Sequence, residues 1–153
     1  MTAEELMKRF SLREHIENGA FVERHYENTA PGRAASGAIY YYVAADEVTE
    51  FHRIDCDEYW CFNAGSDLEV WQVDENGALT VSRLGIGEGC EPLVYLRSGV
   101  IFASKHADGC REGTFLTCIT VPRFTYQGFE LLPKETMTEK YPQTARFYSI
   151  AAK

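Results

Sequence analysis

From about residue 20 to residue 121 the chain is a succession of short apolar runs rich in β-branched and aromatic residues, each closed by turn residues. The runs cover residues 20–26, 38–43, 48–53, 58–62, 68–73, 78–84, 93–96, 100–104 and 114–121. Runs of this length and composition read as strands. Asn76-Gly77 offers the positive φ angles of a hairpin, and Asp108-Gly109 and Glu112-Gly113 mark a second turn region. Many short strands at close spacing, with no intervening helical pattern, predict an all-β sandwich or jelly-roll barrel rather than an α/β fold.

The two ends differ in texture. Thr2 and Glu5 have the spacing of a capping box, and Leu6, Met7 and Phe10 recur at helical intervals, so residues 2–10 form a short helix. Pro133 opens a short C-terminal helix that ends near Tyr141-Pro142. The expected organisation is one domain over residues 1–153: the helix at 2–10, a barrel over 20–132 and a C-terminal segment over 133–153.

Composition narrows the partners. The formal net charge of −8 argues against nucleic acid, whose phosphates are bound chiefly by Lys and Arg. No run of about 18 apolar residues predicts a membrane span, and the N-terminus lacks an apolar secretory core. The cysteines at 56, 61, 90, 110 and 118 are odd in number and lack CxxC spacing, as expected for reduced thiols in a cytoplasmic protein rather than a zinc site. Gly85, Gly87 and Gly89 do not have phosphate-loop spacing and read as a strand connection. Residues 29–37 form a loop over one mouth of the barrel, with Arg33 either an anion contact or a solvated arginine.

The segment from Phe51 to Gly65 carries the strongest chemical signal. His52 and Glu58 flank a turn between strands, so both aim into the barrel interior. His52 and Ile54 share one strand parity, and Trp60 and Phe62 continue the face of Glu58. Cys61 has the opposite parity and is expected outside the pocket or at a subunit contact.

This segment resembles the first motif of the cupin superfamily, G-x5-H-x-H-x3-E-x6-G. His52 matches the first His, Glu58 the Glu and Gly65 the closing Gly. Ile54 stands at the second His position and Asp46 at the opening Gly. The second cupin motif falls around Gly99, with Arg97 where Pro is usual, Phe102 at the third His and His106 at the Asn. The phrases Ala38-Ile39-Tyr40-Tyr41, Phe51-His52-Arg53, Asp57-Glu58-Tyr59-Trp60 and Phe129-Glu130-Leu131 look like a group of small single-domain cupins of unassigned function. That group is similar in fold to the dTDP-sugar 3,5-epimerases. The resemblance implies a cupin-type double-stranded β-helix with short helices at both ends, and a homodimer.

Three chemistries follow. A metal site needs at least three ligands, and Ile54 and Phe102 supply none, so no metal or other cofactor is expected. A small-molecule site would use Tyr40, Trp60 and Phe102 to stack a planar heterocycle or carbohydrate, with His52, Glu58 and Glu23 orienting it. A sugar or nucleotide-sugar epimerase or isomerase would use His52 as general base, Glu58 as its orienter and Tyr40, Tyr42 or Tyr126 as the acid. A satisfied barrel histidine is the remaining alternative. His15 and His25 show no partner pattern in the sequence. At least one of Tyr40, Tyr41 and Tyr42 should face a second layer or a partner subunit.

Overall fold

A computed structural model describes residues 1–27 and 32–149. The first residues of the 29–37 loop lie outside the described residues. Two antiparallel sheets face each other. The six-stranded sheet runs in the order β1 (Arg13–Glu14), β2 (Ala20–Glu27), β3 (Ser36–Val43), β10 (Thr114–Val121), β5 (Asp57–Gly65), β8 (Leu93–Leu96). The five-stranded sheet runs β11 (Phe129–Leu131), β4 (His52–Ile54), β9 (Ile101–Lys105), β6 (Leu68–Val73), β7 (Leu79–Leu84). Strands distant in sequence pair in both sheets, β3 with β10 and β10 with β5 in one and β4 with β9 and β9 with β6 in the other, as in the jelly roll the strand pattern predicts.

The main core lies between the sheets. Tyr41, Val43, Trp60, Leu68, Val70, Leu84, Leu96, Phe102 and Leu116 are buried there at alternate positions of their strands. Both outer faces are partly covered by the chain's own ends. Helix α1 (Ala3–Arg9), with its Thr2–Glu5 capping box intact, lays Leu6, Met7 and Phe10 over Tyr40, Tyr42 and Phe115. This is the second layer required by the tyrosine run: Tyr41 points into the core, while Tyr40 and Tyr42 point to the helix. On the other side α2 (Lys134–Lys140) and α3 (Ala145–Tyr148) bring Met137 and Phe147 against Phe51, Trp71 and Ile101.

Three local differences from the sequence expectation bear on the site. The strand expected over 48–53 is reduced to β4, because Thr49 and Glu50 leave the ladder to bond elsewhere. Thr49 bonds Ser104 through both backbone and hydroxyl, and Glu50 N–H donates to the Glu17 carbonyl at 2.9 Å. Strands β1 and β11 were not expected, being only 2 and 3 residues long. The turn joining β1 to β2 is built on Asn18 and Gly19, both at positive φ. Gly19 is required there, since a Cβ would stand 2.6 Å from the Tyr41 hydroxyl. Gly65, the closing glycine of the motif, has a comparable cause: at φ +98° its Cβ would collide with the Gly113 carbonyl.

Candidate functional site

A cavity of about 300 Å³ opens between the sheets at the end where β1, β4 and β11 lie. His52 and Ile54 enter from β4, Glu58 from β5, and Cys118 and Thr120 from β10. His15 and Glu17 enter from the β1–β2 turn. Phe21, Ile39, Phe124 and Phe129 form apolar walls, while Arg13, Glu23, Arg123 and Tyr126 stand nearer the mouth. Phe102 and Trp60 close the inner side: Phe102 lies 4.1 Å from the His52 ring, and Trp60 meets Phe102 edge-on at 5.9 Å.

The partner of His52 is Glu17, not Glu58. Glu17 Oε2 lies 2.6 Å from His52 Nε2, and both side chains are almost wholly buried. The contact is a buried ion pair. His52 Nδ1 donates to the Glu50 carbonyl at 2.8 Å. Both ring nitrogens therefore face acceptors, which is the environment of an imidazolium. Burial alone would push His52 down, but Glu17 and the Glu50 carbonyl carry it above its ordinary value. Burial would likewise raise Glu17, yet His52 holds it below the usual carboxylate range. The two directions agree on a charged pair. The pair is held by backbone: Glu17 C=O accepts from Glu50 N–H, and Glu50 C=O accepts from His52.

His15 is the other histidine of the cavity. The Glu17 backbone N–H donates to its Nδ1 at 3.3 Å, so that nitrogen is bare and the ring neutral. Burial lowers its proton affinity further. The ring sits among aromatics, edge-on to Phe21 at 4.8 Å and roughly parallel to Tyr126 at 6.2 Å.

Glu58 stands apart from this pair. It is 7% exposed, and the groups beside its carboxyl are neutral, the Trp60 indole N–H and the Cys118 thiol. Burial first, and the nearby Glu17 second, push its carboxyl up to about 7. The Cys118 thiol beside it is pushed well up by the same burial and is a poor nucleophile.

Several expected positions are corrected. Tyr40 lies on the outer face under α1 and does not line the cavity, nor does Tyr42. Trp60 and Phe102 are core side chains behind the cavity rather than stacking surfaces within it. Glu58 does not orient His52. Glu23 does reach the lining, but it is held by a bidentate pair with Arg123, at 2.6 and 2.9 Å. Arg33 is not a free anion contact: Asp55 takes its guanidinium at 2.8 and 3.0 Å, and Nε donates to the Arg123 carbonyl. Tyr126, 55% exposed, is the one candidate acid among the three tyrosines that lines the cavity. His15 and Glu17 went unrecognised in the sequence. The signal was present in His15-Ile16-Glu17-Asn18-Gly19, where alternate residues precede a positive-φ turn pair.

The fold family commonly carries a metal, and the donor set can be tested against that. Ile54 and Phe102 occupy two ligand positions, and both His52 nitrogens are engaged by oxygen acceptors. Among the described residues no three His, Cys, Asp or Glu side chains are grouped to hold an ion. These residues do not fit a metal. Among the described residues, no helix is long and apolar enough to cross a membrane.

Comparison with known proteins agrees with this architecture. No curated protein sequence matches the chain. A crystal structure of a protein from Shewanella oneidensis superposes with a TM-score of 0.87 at 31% identity, covering 95% of this chain and 94% of that one. A hypothetical protein from Leishmania major gives 0.81 at 27% identity, with 94% of each chain covered. Oxalate decarboxylase from Bacillus subtilis shares the fold, with a TM-score of 0.62 at 18% identity over 84% of this chain and 34% of that one. The profile of the Cupin superfamily (DUF985) matches residues 4–132, and the protein belongs to that family.

Proposed function

We propose that the protein is a small-molecule-binding cupin whose ligand occupies the 300 Å³ cavity without a metal ion. The observation that carries this reading is the convergence of His15, Glu17, His52 and Glu58 on one apolar-walled cavity. Apolar walls with a few convergent polar groups are the usual form of a ligand site. A carbohydrate or a planar heterocycle of modest size fits the volume. The test is a fragment screen by protein-observed NMR with Ile39→Trp as the blocked control. Ligands should shift resonances of Phe21, His52 and Phe129 in the wild type and fail to do so in the variant. Hits that bind both proteins equally would overturn the reading.

A second reading, proton transfer of the sugar epimerase or isomerase type, is favoured by Glu58. A carboxyl held at about 7 is matched to giving and taking a proton near neutrality. Since His52 has acceptors on both nitrogens, Glu58 is the better candidate base, with Tyr126 as the acid on the same lining. Such an enzyme exchanges the proton next to a substrate carbonyl with solvent deuterium, and Glu58→Gln should abolish that exchange. Exchange that survives in Glu58→Gln would remove Glu58 from the role.

A further inference from the structure

We propose that the cavity is specific for small organic cations, taking an ammonium head at Glu58 and an apolar body against Phe21, Phe124 and Phe129. This rests on the cavity being a ligand site and names the class of ligand. The first observation is charge placement. Of the charged groups on the lining, Glu17 is matched by His52, and Glu23 by Arg123. Glu58 has no counter-charge of its own, and its buried carboxyl lines the cavity with only the neutral Trp60 indole and Cys118 thiol beside it. A buried carboxylate without a partner is costly, and a ligand that supplies N–H donors and positive charge relieves that cost.

Glu17, already matched by His52, adds a second negative charge close to Glu58. The second observation concerns the walls. The faces and edges of Phe21, Phe124, Tyr126 and Phe129 surround this space, with the neutral His15 among them. Aromatic rings favour a cation over a neutral or anionic group of the same shape. The mouth does not contradict this. Arg123 is committed to Glu23, and the exposed Arg13, over the Phe21 ring at 5.4 Å, is placed for the anionic tail of a zwitterion.

Binding of this kind is coupled to a proton. The titratable groups that face Glu58 are Glu17 from the β1–β2 turn, His52 from β4, Cys118 from β10 and Cys56 from the turn before β5. Both thiols stay protonated, Cys56 being pushed up to about 12, and His52–Glu17 stays paired, so Glu58 is the group that changes charge near neutrality. The ammonium should bind the ionised form, with release of one proton per Glu58 ionised.

The experiment uses three probes of one shape: benzylammonium, benzyl alcohol and benzoate, titrated at millimolar concentration and followed by NMR of the full-length protein. Benzylammonium should bind in the cavity, more tightly than the other two and roughly tenfold more tightly at pH 8 than at pH 6. Glu58→Gln should weaken it about tenfold and flatten the pH dependence, while leaving benzyl alcohol unchanged. Because glutamine matches the neutral carboxyl in shape, the variant should keep the wild-type spectrum outside the cavity. Benzoate or benzyl alcohol binding in the cavity at least as tightly as benzylammonium overturns the cation assignment but leaves the ligand site standing. Wild-type affinity for benzylammonium in Glu58→Gln also overturns it. If none of the three shifts a cavity resonance, the cation assignment fails, and the blocked-cavity screen then decides the ligand site separately.

Discussion

Two of the buried histidines, His52 and His106, have opposite fates. His52 sits at the cavity with an acceptor on each nitrogen and is held as a cation by Glu17. His106 lies at the far end of β9, where its Nε2–H donates to Thr114 Oγ1 at 2.8 Å, and that hydroxyl donates in turn to the Ser66 carbonyl. Its Nδ1 has no partner, and burial lowers its proton affinity. Burial pushes both rings toward neutrality. At His52 a carboxylate in direct contact and the Glu50 carbonyl together reverse the outcome, while at His106 no carboxylate touches the ring, which joins two strands instead. A buried histidine is thus marked as chemically active by what opposes its desolvation, not by burial or by its place in a motif.

The largest way to break this contrast is Glu17→Ala. It removes the counter-charge and leaves a buried imidazolium unmatched, which costs about 3–5 kcal/mol in comparable buried pairs. Urea unfolding at pH 7 should register that loss, and NMR titration should show His52 falling to the depressed behaviour of His106. If His52 keeps its raised proton affinity without Glu17, the pairing is not its cause.

The sequence made the barrel legible because period-2 runs and turn residues are local properties. It also placed His52, Glu58 and Gly65, whose spacing is fixed within one stretch of two strands and a turn. The neighbours of those residues were not legible. Glu17 lies 35 positions from His52 and meets it only because the two-residue β1 and the Asn18–Gly19 turn fold over the end of the sheet. Tyr40 was misplaced because alternation tells which residues share a face but not which face is the interior. A helix covering the outer face made both faces apolar. Trp60 and Phe102 do face inward as read, but the cavity stops short of them, and its depth depends on packing that no pattern records.

Glu58→Gln gives the next largest effect, and its sign depends on pH. The folded state holds the Glu58 proton more tightly than the unfolded chain does. The stability this confers is full below the ordinary value of 4.5 and is lost as pH rises through about 7. Glutamine mimics the protonated form at every pH. The variant should therefore match wild type near pH 4 and exceed it at pH 8, by at most about 3 kcal/mol. Thermal melts across that range measure the crossover. A variant less stable than wild type at pH 8 would mean that the ionised carboxylate is supported by contacts the cavity does not display.

The smallest effect sharpens the comparison most. His52 binds its proton more tightly when folded, so its contribution is full below the unfolded value near 6.5 and falls as pH rises through its raised folded value. His106 is the reverse: its folded value is lowered, so its contribution is present above 6.5 and is lost as pH falls through the depressed value. His52→Gln should therefore lose more stability at pH 6 than at pH 8, and His106→Gln more at pH 8 than at pH 6, with the second difference about 1 kcal/mol. Glutamine can still donate to Thr114, which keeps the strand link and isolates the proton. Parallel unfolding curves of the two variants at the two pH values test both signs together. Profiles that slope the same way would show that the two rings share one electrostatic environment, and the distinction drawn from Glu17 would fall.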